Sequence, residues 1–231
     1  MTPRKEIYLI RGREEDSYSD FENVLLDRAR SLLAREDLVS LKVSMTKTPP
    51  PRLSLIPFKR NKIAAVSISW NKKSLKTKDL FEEVILTGKY QVDEAIPVAY
   101  EKSWDDGNYT PGICLLTLFR KKPGISWSTF LDRWHNGHTP LSLKIHPLWN
   151  YNRNVVVKSV EAQGEQWDGI VEEQFENQSD LLNPIKFFGN PLIMPYRMWQ
   201  VYSDVNSFLE YNTVEPYFAH EIILKSPESN A

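Results

Sequence analysis

The segment KIAAVSISW at residues 62–70 is a run of apolar and β-branched side chains, which is typical of a buried strand. Outward from it, apolar and alternating patterns predict strands at 6–11, 38–45 and 95–104, and helical spacing predicts helices at 18–35 and 77–86. The order of this half is therefore βαββαβ. That order is typical of a ferredoxin-like unit, a four-stranded antiparallel sheet with two helices on one face.

The second half repeats this plan. Strands are predicted at 113–121, 151–160, 168–175 and 219–225, and helices at 126–137, 179–188 and 205–212, with an irregular insertion at 189–204. The segment DGIVEEQF at 168–175 lies 105 positions after residues 63–70. Leu131-Asp132-Arg133 follows Leu26-Asp27-Arg28 at the same offset of 105 positions, which indicates duplication. The predicted domains are residues 1–106 and 107–231.

The predicted fold class is α+β, with two ferredoxin-like βαββαβ repeats fused as an intramolecular dimeric α+β barrel. A ferredoxin-like sheet leaves one apolar face uncovered, and such a face must be buried. Two repeats can cover each other face to face, and we expect the hollow between their sheets to be the ligand pocket. The expected ligand is a small apolar or aromatic molecule.

Composition limits the classes of partner. With 29 Lys+Arg and 30 Asp+Glu, the chain has a formal net charge of −1, which argues against nucleic acid or an anionic membrane as the main partner. The single cysteine, Cys114, cannot form an intrachain disulfide, so a cytoplasmic location is expected. No zinc-type spacing and no Gly-rich phosphate loop occurs, so neither a metal nor a cofactor is predicted.

The stretch FRKKPGISWSTFLDRWHNGHTPLSLKIHPLW at residues 119–149 holds the main candidate for chemistry. Leu131, Trp134, His138 and Leu141 are spaced three, four and three apart, which places His138 on the apolar stripe of a helix. Pro140 is expected to end that helix. Two interpretations of His138 stay open: a general acid or base at a cavity mouth, or a side chain that fastens the helix end through a hydrogen bond.

This stretch resembles the EthD family of the dimeric α+β barrel superfamily. The resemblance rests on Arg120, Lys122, Pro123, Gly124, Phe130, Trp134, His138, Pro140 and Leu141, and it continues at Tyr151, Asn154 and Asp168-Gly169. It implies an accessory role in oxidative degradation of ethers or aromatic compounds, or decarboxylase, dehydratase or cyclase chemistry. The first half carries Arg30 and Leu33 near the positions of His135 and His138, so a single site in the second half is expected.

Six residues are predicted to form the site. His138 would move a proton, and Asp168, which shares a strand face with Glu172, is a second candidate for acid/base work. Trp134 and Tyr151 would shape the pocket, Asn154 would orient the ligand, and Arg120 would hold an acidic group at the rim.

Three alternatives remain open for the chain as a whole. One is a non-catalytic protein that binds a hydrophobic small molecule. Another is a haem-binding barrel that uses His138 or His135 as the axial ligand. Association of two such chains into a homodimer of pseudo-dimers is also left open.

Overall fold

The computed structural model of the chain describes residues 4–71, 85–162 and 165–227. The strands in these ranges are β1 (Arg4–Arg11), β2 (Leu38–Met45), β3 (Ile63–Trp70), β4 (Ile85–Val98), β5 (Ile113–Phe119), β6 (Asn150–Ala162), β7 (Gly169–Phe175) and β8 (Glu215–Lys225). The helices are α1 (Tyr18–Ser31), α2 (Trp127–Asp132), α3 (Thr139–Ile145), α4 (Gln178–Leu182), α5 (Pro184–Phe188) and α6 (Met194–Phe208). In the described ranges, no helix has both the length and the apolar character needed to cross a lipid bilayer.

The strands form one closed antiparallel barrel in the order β1-β3-β2-β8-β5-β7-β6-β4. Each half keeps the ferredoxin-like order, with β4-β1-β3-β2 in the first and β8-β5-β7-β6 in the second. The halves join where β2 pairs with β8 and β4 pairs with β6. The backbone N–H and C=O groups at the edges of each half are thereby hydrogen-bonded to the other half, and no sheet edge stays open. The predicted barrel of two fused repeats is confirmed, and β3 and β7 hold equivalent places in it.

Alternation along each strand separates the barrel interior from an outer face covered by helices. In β1, Ile7 and Leu9 belong to the cluster inside the barrel, whereas Tyr8 and Ile10 pack with the residues of α1. In the second half, α2, α3 and α6 cover the outer face of the sheet in the same way. The hollow expected between the sheets is absent from the middle of the barrel, because the inward side chains of the eight strands fill that part.

The helix that carries His138 does not end at Pro140. A π-helical segment, Arg133–His138, joins α2 to α3, and the Thr139 N–H donates to the Trp134 carbonyl five residues back. Pro140 then lies in the first turn of α3, where a missing N–H costs little. The wider π turn thus lets the helix continue past a proline that usually stops one.

Three further elements differ from the predictions. The helix expected at 179–188 is broken into α4 and α5 at Asn183, because the residue before Pro184 disfavours helical backbone. The insertion at 189–204 was expected to be irregular but contains most of the 15-residue helix α6. The strand expected from residue 95 begins at Ile85, and the helix expected at 77–86 otherwise lies outside the described residues.

Candidate functional site

A cavity of about 100 Å³ lies between the outer face of the second sheet and its covering helices. Its walls come from β5, β6 and β7, from the helices, and from the segment before β8: Thr117, Phe119, Tyr151, Val171, Glu173, Trp134, His138, Val205, Phe208, Leu209 and Val214. The sequence placed His138 at a hollow between the two sheets, and this is wrong. The helix of His138 packs on the outside of the barrel, so its side chain reaches only the outer face.

Glu173 is the ionisable group that the sequence did not single out. In β7, Glu172 points into the barrel, so its neighbour Glu173 points outward into the cavity. No described residue donates a hydrogen bond to the Glu173 carboxyl group. Burial raises the pKa of this group to about 7. A positive charge on His138 would lower the pKa, but the effect of burial is larger. The protonated and ionised forms of Glu173 are therefore both populated near neutral pH, as a general acid or base requires.

His138 is held from two sides. Its Nδ1–H donates to Asp204 Oδ2 on α6 at 2.7 Å, and the Ser142 hydroxyl, one turn along the helix, donates to its Nε2 at 3.1 Å. Because a carboxylate only accepts hydrogen bonds, the Nδ1 proton is assigned from chemistry. Ser142 is buried and does not line the cavity, so its hydroxyl orients the imidazole and does not act as a nucleophile.

Trp134 and Tyr151 form one wall of this cavity on the outer face, and the role in shaping a substrate pocket that the sequence suggested for them stays a prediction. The Trp134 Nε1–H donates to the Tyr151 hydroxyl at 3.4 Å, and the Trp134 ring meets Phe119 edge-on with ring centres 4.9 Å apart. Burial raises the pKa of Tyr151 above its ordinary value, so its hydroxyl stays neutral. A Cβ at Gly169 would lie 2.3 Å from the Phe119 ring, so a glycine at this position is what lets the rings approach the sheet.

The other three predicted site residues lie outside this cavity. Asp168 precedes β7 and accepts a hydrogen bond from the Lys121 N–H at 2.7 Å, so it fastens a turn. Arg120 donates through Nε to the Gln166 carbonyl, and its guanidinium lies over the Trp167 ring. Asn154 is fully buried on the inner face of the barrel, where it donates to the Ile170 carbonyl.

Haem ligation is not favoured by the geometry of His138. Both of its ring nitrogens are engaged, by Asp204 and Ser142, and a cavity of about 100 Å³ is far smaller than a porphyrin. Across the described ranges, no group of three or more His, Cys, Asp or Glu side chains is arranged to hold a metal ion.

Sequence reasoning missed two residues of the site, Glu173 and Asp204, for different reasons. Glu173 had a signal: it alternates with Val171 and Phe175 in β7, so it belongs to the face that the helices cover. Asp204 had none, because α6 lies largely in the segment expected to be irregular and contacts His138 across 66 positions of sequence.

Comparisons with known proteins agree with this architecture. Residues 122–186 match the EthD domain, which confirms the resemblance in this segment. Similar solved structures include a "Putative monooxygenase" from Fusobacterium nucleatum subsp. nucleatum ATCC 25586, with 10% identity over 98% of this chain and 94% of that chain, at a TM-score of 0.53. An "anthrone oxidase-like protein" has 12% identity over 100% of this chain and 97% of that chain, also at a TM-score of 0.53.

A "putative monooxygenase" from Lactobacillus acidophilus NCFM has 9% identity over 97% of this chain and 95% of that chain, at a TM-score of 0.50. Comparison with curated protein sequences gave no match. At such low identities, the solved structures show a shared fold and no more.

Proposed function

On the premise of an EthD domain in the second half of the chain, we propose that this protein is an enzyme that transfers protons on a small apolar or aromatic molecule. The single observation that carries the proposal is Glu173, a carboxyl group without a hydrogen-bond donor in a mostly apolar cavity, with its pKa raised to about 7. Structural carboxylates are usually hydrogen-bonded or ion-paired, whereas groups tuned towards neutral pH concentrate at active sites.

The cavity favours a substrate, or part of one, about the size of a single aromatic ring. Apolar cavities of about 150 Å³ accept benzene, so this one, of about 100 Å³, holds part of a ring in its present shape. Its walls are mainly aromatic and aliphatic, with the Tyr151 hydroxyl and the Thr117 side chain as the other polar groups beside Glu173 and His138. A larger substrate would require α6 to move outward, because Val205 and Phe208 of that helix close one side.

In this proposal, Glu173 removes a proton from carbon or oxygen of the substrate and later returns it. His138, oriented by Asp204 and Ser142, forms the polar wall beside Glu173 and positions the substrate against it. Decarboxylation, dehydration and cyclisation need only such groups and a cavity that excludes water. The names of the fold neighbours describe oxidation by those proteins. An accessory role of this chain in an oxidation would still use the same proton transfer and would need a separate oxidant.

The rival proposal is a binder without turnover. Proton exchange separates the two proposals without knowledge of the natural substrate. The protein is incubated in D₂O with a panel of one-ring aromatic ketones and phenolic acids, and NMR follows replacement of C–H by C–D and loss of carboxyl groups. We expect exchange or turnover of at least one compound, at a rate that rises with pH through about 7.

Glu173→Gln keeps the shape of the side chain but cannot accept a proton, so it should reduce the rate by 10²-fold or more. Glu176→Gln, an exposed change in the same segment, is the matched control and should leave the rate unchanged. Compounds that bind in the cavity without exchange or turnover would support the binder. Exchange that survives Glu173→Gln would refute the assigned role of Glu173.

The cytoplasmic location, the domain boundary near residue 106 and the homodimer of pseudo-dimers remain predictions.

A further inference from the structure

A second cavity, of about 280 Å³, opens at one end of the barrel, on the inner side of the sheets. Inward side chains of several strands line it, among them Lys5 of β1, Lys42 of β2, Ser67 of β3, Glu94 of β4 and Asn152 of β6. It shares no lining residue with the Glu173 cavity, which lies outside the second sheet. The barrel end is therefore an independent candidate site.

The charged side chains at this end form ion pairs with one another. Lys42 Nζ lies 2.9 Å from Glu172 and 3.3 Å from Glu221, and Lys5 Nζ lies 2.5 Å from Glu94. Buried charges are tolerated only when they are paired in this way. Lys102, at the mouth of the cavity, pairs with Asp106 at 3.0 Å, and Lys225 Nζ donates to the Leu38 carbonyl. A charged ligand would have to compete with these existing contacts, so the pairing favours an uncharged ligand.

Two polar atoms that line this cavity lack partners among the described residues. Ser67 Oγ and Asn152 Oδ1 have no hydrogen bond, and each residue is only 4% exposed. Leaving such groups unpaired costs free energy, which a ligand that pairs them would recover. Asn152 Oδ1 needs a donor, while Ser67 can donate or accept, and a hydroxyl group satisfies both needs.

The rest of the wall is mixed: one part is apolar, and the other carries further hydroxyl, amide and ammonium groups from Ser40, Ser69, Asn150, Lys102, Lys225 and Ser226. Ile96, Ala99 and Ile223 line the apolar part, together with the Tyr100 side chain, whose hydroxyl is already engaged with Glu221 at 2.7 Å. The ligand should therefore present an apolar surface on one side and hydroxyl groups on the other. We propose that the barrel end binds a small uncharged polyhydroxylated molecule, of the size and chemistry of a monosaccharide or cyclic polyol.

The test uses myo-inositol and D-glucose as probes, with binding to the full chain measured by calorimetry and a crystal structure determined with myo-inositol. We expect one of them to bind, with ring hydroxyls at Ser67 and Asn152. Ser67→Ala should weaken that binding at least tenfold, and Ser67→Val, which fills the space, should abolish it. Ser203→Ala, an exposed change on α6, is the matched control and should leave the affinity unchanged.

The proposal is overturned if neither probe binds and only water occupies the barrel end, or if binding is insensitive to both Ser67 variants. Because the crystal structure uses the unaltered chain, the result stands even if a variant fails to fold. Glu173→Gln should retain probe binding, so the outcome is separate from that of the proton-transfer proposal.

Discussion

Replacing Glu173 by Gln should stabilise the protein in a pH-dependent way. Burial raises the pKa of Glu173 from 4.5 to about 7, so the folded state holds this proton more tightly than the unfolded state does. Below about pH 4.5 the group is protonated in both states and has no effect on stability. Between pH 4.5 and 7 the unfolded state releases the proton more readily, so the free energy of unfolding falls as the pH rises. Above pH 7 both states are ionised, and the free energy of unfolding falls no further on account of this group.

The size of this effect follows from the shift in pKa. Each pKa unit corresponds to about 1.4 kcal/mol, so ionising Glu173 in the folded state should cost at most about 3 kcal/mol above pH 7, since this half-buried side chain keeps some contact with water. Gln is neutral at every pH and removes this cost. The free energy of unfolding of Glu173→Gln should therefore match that of the unaltered protein at pH 4 and exceed it at pH 8, by at most about 3 kcal/mol.

Urea denaturation followed by circular dichroism at pH 4 and pH 8 measures both differences. Glu176→Gln, at an exposed position, should change stability by less than about 0.5 kcal/mol at either pH. A Glu173→Gln variant with the same difference at both pH values would refute the argument, because it would mean that Glu173 ionises as freely in the folded state as in the unfolded one.

Three further perturbations test other parts of the structure by the same denaturation assay. Asp204→Ala should destabilise the protein by about 1.5–3 kcal/mol by leaving the site imidazole without its acceptor, and Ser203→Ala should not; equal effects would refute the contact. Gly169→Ala should cost about 1–3 kcal/mol, because the added Cβ would overlap the Phe119 and Trp134 rings. Gly137→Ala should be tolerated, because its Cβ would lie 3.7 Å from the nearest atom, Asp204 Oδ1. Lys42→Met should cost about 3–5 kcal/mol by leaving two buried carboxylates unpaired, and a neutral result would contradict the ion cluster.

The sequence by itself determined the order of strands along the chain and the duplication, and the alternation in β7 held a signal for the outward position of Glu173 that sequence reasoning did not use. These properties depend on short-range periodicity, because successive side chains of a strand point to opposite faces of the sheet. Short connections between consecutive elements then restrict the order in which the strands can pair. The motif around His138 likewise identified the EthD segment before any coordinates, because it is a run of contiguous positions.

Only the tertiary structure decided which groups share a cavity. His138 and Asp204 lie 66 positions apart, and Asp168 and Asn154, which the sequence grouped with His138, lie in a turn and inside the barrel. Periodicity fixes the face on which a side chain lies but not which distant element covers that face. Whether a carboxyl group is buried without a partner, and so has a raised pKa, depends on that covering element alone.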